Sequence, residues 1–162
     1  VRPHRSKSNV LRICQEIVDA NRRLEAGRPT RAAATLNDAL MRAARVARHD
    51  HLVIVVTDFT DADEDTRRLT SDLAAHNDVM AILVYDPLGA SMPVRVPVTA
   101  TDGTKTVTFS GGIEFDERFE AAFRDRMNDI TQILQSLRIP ILPICTHESV
   151  TDQMIAALGR KR

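Results

Sequence analysis

The run Val55-Val56-Thr57-Asp58-Phe59-Thr60-Asp61 places a carboxylate where a hydrophobic stretch stops. In open parallel sheets ligands bind beyond the carboxyl ends of the strands, so Asp58 stands where chemistry is usually found. Asp61, Asp63, Glu64 and Asp65 follow closely, concentrating hard oxygen donors of the kind that hold Mg²⁺ or another divalent cation. The same acids have a structural use. Asp61 or Asp63 can cap the helix that follows, and carboxylates favour the positive end of its dipole. Asp61, Asp63, Asp65 and Asp72 also imitate the oxygen spacing of an EF-hand loop, but Thr66 stands where that loop needs Gly and a strand precedes it. That match is read as chance.

An enzyme reading makes Asp58 the nucleophile of a Mg-dependent phosphoryl transfer, as in haloacid-dehalogenase-like phosphatases. Those need a second aspartate two positions on as acid/base, and here that position is Thr60. There is no Gly-rich phosphate loop and no Gly-x-Ser-x-Gly elbow. The histidines at 4, 49, 51, 76 and 147 are scattered, and His49-Asp50-His51 reads as a solvated turn. No catalytic residue is assigned, and catalysis stays the alternative.

The elements that would position Asp58 follow from periodicity. Val10, Cys14, Ile17, Val18 and Leu24 form a helical stripe ending near Gly27 and Pro29. Leu36, Ala39, Leu40, Ala43 and Val46 form a second. Leu52-Val53-Ile54-Val55-Val56-Thr57 is an apolar β-branched run without alternation, which predicts a strand buried on both faces. Leu69, Leu73 and Ala74 mark a helix of three turns closed by His76-Asn77. Val79 to Tyr85 is a second such strand, ending on Asp86. Strand, helix, strand at this spacing is a βαβ unit with parallel strands.

Val94, Val96 and Val98 then face Val107 and Phe109 across Asp102-Gly103, a hairpin signal, with Pro93 and Pro97 on its outer strand. Phe115 to Leu137 carries a long amphipathic helix. Ile139-Pro140-Ile141-Leu142-Pro143-Ile144 is a strand whose prolines put it at a sheet edge. A last helix runs from about Ser149 to Leu158, capped by Thr146 and stopped by Gly159.

The fold class expected is therefore α/β, a mostly parallel sheet flanked by helices, forming a single domain over 1–162 with a hairpin inserted at 92–110. Strand 52–57 lacks the Pro, Lys or bulge devices that protect an edge. It calls for a neighbour, expected as a central strand upstream of Val1 in a longer parent, and the same edge offers pairing to a second copy.

Composition limits the partners. The 162 residues carry 22 basic and 22 acidic side chains, which excludes a generally basic nucleic-acid coat. By segment, residues 1–48 hold 11 basic and 4 acidic groups, and residues 49–80 hold 2 basic and 8 acidic. The arginines up to Arg48 suggest anion or nucleic-acid binding as a further alternative, against the plainer reading of solvated helix faces. Aromatic content of 4% without Trp disfavours base stacking, and no nucleic acid is expected. Cys14 and Cys145 sit in apolar patterns as free core thiols do, and a reducing compartment fits them. No stretch approaches a membrane span or a signal peptide.

Val53 to Phe59, followed by a helix and then Val79 to Leu88, resembles the domain-of-unknown-function 58 family. These are bacterial and archaeal proteins with a von Willebrand factor A-like domain, often encoded beside MoxR-type AAA+ ATPases. The resemblance takes in the turn Cys145-Thr146-His147-Glu148 and covers nearly the whole chain. It implies a Rossmann-like sheet bearing a metal-ion-dependent adhesion site, of which this chain holds the C-terminal part. Asp58 matches the third-loop aspartate of that site. Thr35, in Ala33-Ala34-Thr35-Leu36-Asn37-Asp38-Ala39-Leu40, approximates the second-loop threonine, one residue closer to the Ala-Leu pair than usual. The Asp-x-Ser-x-Ser loop would precede Val1. Two side-chain ligands at most remain, so Mg²⁺ or another divalent cation is expected in the full-length parent and weakly or not at all here.

The function expected on this reading is a non-enzymatic protein-interaction module working with a MoxR-type AAA+ ATPase. The resemblance implies a cytoplasmic location, in many members as the soluble domain of a membrane-anchored parent.

Overall fold

The structure is a computed structural model and describes residues 6–23, 35–90, 97–101, 105–109 and 113–159. The chain divides into two compact units. One comprises Val1–Ala32 with Thr99–Phe109, the other Ala33–Val98 with Ser110–Arg162.

The first unit carries helix α1 (Lys7–Arg22) and most of a two-stranded sheet of β3 (Val98–Thr101) and β4 (Thr106–Phe109). Ser6 caps α1 by accepting the Asn9 N–H at 3.2 Å. The expected stripe is helical, but Val10, Ile17 and Val18 are exposed, as is Cys14, which is therefore no core thiol. The helix end at Gly27 and Pro29, and Pro93, Val94, Val96 and the Asp102-Gly103 turn, lie outside the described residues.

The second unit holds α2 (Leu36–Val46), β1 (Leu52–Thr57), α3 (Glu64–Ala74), β2 (Asp78–Tyr85), the short α4 (Pro87–Ala90), α5 (Ile113–Ser136), β5 (Ile141–Cys145) and α6 (Val150–Leu158). β1, β2 and β5 form a parallel sheet in that order, with Val53 opposite Val79, Val55 opposite Ala81, and Ala81 opposite Ile141. The chain is thus mixed α/β, with a three-stranded parallel sheet flanked by helices. Among the described residues no helix is long and apolar enough to cross a membrane.

One face of the sheet makes the core. Val53 and Val55 of β1 and Val79, Ala81 and Leu83 of β2 pack with Leu40 of α2, Leu73 of α3 and Ile130 and Leu134 of α5. Burying each large aliphatic side chain there contributes about 1.5–3 kcal/mol. The other face departs from the expectation for β1. Leu52, Ile54 and Val56 are 64, 50 and 62% exposed, because α2, α3 and α5 all contribute to the core on the Val53/Val55 side. An apolar run without alternation was the wrong sign of double burial here. β2 is intermediate, its Met80, Ile82 and Val84 only half-buried.

β5 lies at an edge, as its prolines predict, although Pro140 precedes the strand and only Pro143 is within it. α5 hands over to β5 through a tight cap. Arg138 has φ 56°, its N–H reaches Gln135 O at 2.9 Å and the Ile139 N–H reaches Leu134 O at 2.9 Å. This is a Schellman arrangement with an arginine where glycine is usual, and Leu134 and Ile139 supply its apolar contact.

The cap of α6 corrects another expectation. Thr146 gives its N–H to Tyr85 O at 3.0 Å, continuing the ladder with β2. Ser149 caps instead, accepting the Asp152 N–H at 3.4 Å. Gly159 does end the helix, with its N–H on Ile155 O, and a Cβ there would meet that oxygen at 2.5 Å. Cys145 is buried, as expected.

Candidate functional site at the carboxyl end of β1

β1 ends by turning its side chains in opposite directions. The Phe59 N–H donates to Thr57 Oγ1 at 3.1 Å, and the Thr60 N–H donates to Asp58 Oδ1 at 2.9 Å. Phe59 adopts φ 55°, a left-handed conformation that costs a bulky residue roughly 1–2 kcal/mol. Burial of its ring, which is 6% exposed in the core, offsets that cost. The ring goes inward and the Asp58 carboxylate stays at the surface. Arg126 of α5 reaches the Asp58 backbone oxygen at 3.4 Å.

The electrostatics keep Asp58 ionised. Partial burial raises its pKa, but the hydrogen bonds from Thr60 and the Arg126 charge outweigh it, so the net shift is below the ordinary 3.8. A carboxyl group shifted this way contributes stability that is fully present above the unfolded value and disappears as pH falls through the folded pKa. An NMR carboxyl titration should therefore give Asp58 a midpoint below 3.8, and Arg126→Ala should move it upward. A midpoint at or above 3.8 would contradict the hydrogen bonding described.

The acids beyond Asp58 divide by role. Asp63 is the cap of α3, as one of the two expected candidates: its Oδ1 accepts the Thr66 N–H at 2.8 Å, and Thr66 Oγ1 accepts the Asp63 N–H at 3.0 Å. The buried Thr66 hydroxyl donates to Asn37 Oδ1 at 2.7 Å, while Asn37 Nδ2 donates to Asp63 Oδ1 at 3.0 Å. Asn37's hydrogen bond is the foremost reason that the Asp63 pKa lies below its ordinary value, followed by that of Thr66. Glu64 and Asp65 each have a counter-ion one turn on, Arg67 at 2.6 Å and Arg68 at 3.2 Å. The hard oxygen donors concentrated in this stretch therefore narrow to Asp58, Asp61 and Asp63, the last already a helix cap.

Thr35 serves as a helix cap. Its Oγ1 accepts the Asp38 N–H at 3.2 Å and Asp38 Oδ2 accepts the Thr35 N–H at 3.0 Å, a reciprocal box at the start of α2. Among the described residues no hydrogen bond joins Thr35 to Asp58. The link between their loops runs from Asn37 to Asp63, and Asn37 had no signal in the sequence beyond its place in the first turn of α2.

A cleft of about 290 Å³ lies beside the turn, lined by Phe59, Thr60, Asp63, Arg67, Arg126 and Ile130 among others. Its mixed charges and apolar floor favour no single ligand class. Among the described residues no three His, Cys, Asp or Glu side chains gather closely enough to hold a metal ion. Mg²⁺ takes six oxygens, and the Thr35 Oγ1 already accepts the Asp38 N–H. His49 and His51 are exposed, the former 2.8 Å from Asp50 and the latter with Nδ1 2.6 Å from His49 O, in keeping with a solvated turn.

The family model described as "Protein of unknown function DUF58" matches residues 1–131, which include Thr35, the whole β1–α3–β2 unit and Asp58. No curated protein and no solved structure matches the chain. With the match spanning most of its length, the chain belongs to the DUF58 family.

Proposed function

We propose that this chain is a non-enzymatic protein-interaction module of von Willebrand A-like type, with Asp58 as the strand-end carboxylate of a partial metal-ion-dependent adhesion site and a MoxR-type AAA+ ATPase as its partner. The observation that carries the reading is Asp58 itself. It is exposed, held ionised, and fixed in direction by the Thr60 hydrogen bond at the carboxyl end of a parallel strand. Its neighbour two residues on supplies a backbone N–H and no acid/base group, which favours docking over catalysis. A fixed, exposed carboxylate is suited to meet a basic side chain on a partner.

Calorimetry against a MoxR-type ATPase tests this. Binding should weaken about tenfold or more in Asp58→Ala, equivalent to about 1.4 kcal/mol. Equal affinity of the two proteins would sink the reading. Mg²⁺-dependent phosphatase activity that vanished in Asp58→Asn would instead favour the enzyme alternative.

A further inference from the structure

We propose that the outer face and carboxyl end of α2 dock an acidic, partly apolar segment of another protein. The surface belongs wholly to the unit that holds the parallel sheet. Leu36, Leu40 and Ala43 turn one side of α2 to the core. At about 100° per residue, Met41, Arg42, Arg45 and Val46 fall on the side away from it. Arg42 and Arg45 are exposed, and Met41 and Val46 beside them are 41 and 66% exposed. Arg48 follows the helix and is exposed too.

The charge on this surface is uncompensated. Residues 36–48 hold these three arginines and one acid, Asp38, whose Oδ2 is engaged by the Thr35 N–H. Among the described residues no ion pair joins Arg42, Arg45 or Arg48 to an acid. The neighbouring α3 shows the usual alternative, where Arg67 and Arg68 each meet an acid one turn back. The helix dipole accounts for Arg45 in the last turn of α2, but Arg42 lies a turn further in, where that effect has faded.

The surface is held in place. Asn77 Nδ2 donates to Ala47 O, between Val46 and Arg48, and so ties this end of α2 to the residue before β2. Asp58 stands at the opposite end of β1, about 20 Å of strand away, so this is a second surface beside the one proposed at Asp58.

Its composition chooses the occupant. Guanidinium groups without counter-ions call for carboxylates or phosphates. Duplex nucleic acid would meet only these few, releasing about three counter-ions, and would leave Met41 and Val46 without a role. Anionic membranes are held by clusters of about four to eight bases. Arg and Met are side chains that protein interfaces favour, and an acidic segment with apolar residues beside its carboxylates matches both.

Fluorescence anisotropy of a labelled Leu-Glu-Glu-Ala repeat peptide, titrated with the full 162-residue chain, tests the proposal. Binding is expected at about 20 mM salt and should weaken severalfold by about 150 mM. Arg42→Glu and Arg45→Glu should each raise the Kd about tenfold or more, with unchanged far-UV circular dichroism. Met41→Ser should raise it about threefold through lost apolar contact. Arg68→Glu makes the same change of charge on α3 and should leave the Kd within about twofold. Duplex DNA and phosphatidylserine vesicles should bind more weakly than the peptide. No binding at low salt, arginine variants that bind as well as the parent, equal losses in Arg68→Glu and Arg42→Glu, indifference to Met41→Ser, or tighter binding to the DNA or the vesicles would each overturn the proposal.

Discussion

Leu73→Ala will lower the unfolding free energy by about 3 kcal/mol, among the larger losses expected from a single truncation among the described residues. Leu73 lies on α3, is 2% exposed, and is the largest fully buried side chain among the described residues. It belongs to the core cluster built from β1, β2, α2 and α5, so removing its methyl groups forfeits transfer energy and leaves a cavity in a close-packed interior. A urea titration should show a lower midpoint with an unchanged slope. Leu52→Ala makes the contrast, because at 64% exposure it should cost within about 0.5 kcal/mol. Equal losses for the two would mean that β1 is not covered on the side described.

Asn77→Ala comes next, at about 2 kcal/mol. This residue follows α3 and fastens three segments at the amino end of the sheet. Its Nδ2 donates to Ala47 O at 3.2 Å and to Leu73 O at 3.0 Å, and its Oδ1 accepts the His51 N–H at 3.1 Å. The end of α2, the end of α3 and the start of β1 therefore share one amide group. Alanine leaves the partly buried Ala47 and Leu73 carbonyls without that partner, and the cost of an unmade bond exceeds the net worth of a made one. Asn77→Asp should rescue nothing. It keeps an acceptor for His51 but points a carboxylate at two carbonyl oxygens. If Asp were tolerated as well as Asn, the two donor bonds would not matter.

Elements whose signal is local could be read from the sequence, and those whose partner lies far along the chain could not. The three parallel strands announced themselves as short apolar β-branched runs, β5 as an edge through its prolines, and Asp63 as a cap through its place before α3. Asn37 and Asn77 act across 26 to 30 residues, at Asp63, Thr66, Ala47 and His51, and no window of sequence shows such a meeting. Thr35 was legible as a candidate hydroxyl, but its local capping box with Asp38 competes for the same oxygen. The error over β1 has a different origin. Composition tells that a strand is apolar on both faces, not whether a helix is present to cover each of them.

At Cys145 the Gln153 side chain imitates a peptide group. Its Oε1 accepts the Cys145 N–H at 2.8 Å and its Nε2 donates to Cys145 O at 2.9 Å. The last residue of β5 thus sees an artificial strand made from one side chain, and with Pro143 beside it that margin of the sheet is sealed. A sheet margin with free backbone N–H and C=O groups is a template for further strands. At β5 one glutamine side chain and one proline stand where a further strand would lie, so that margin ends the sheet without another element of the fold.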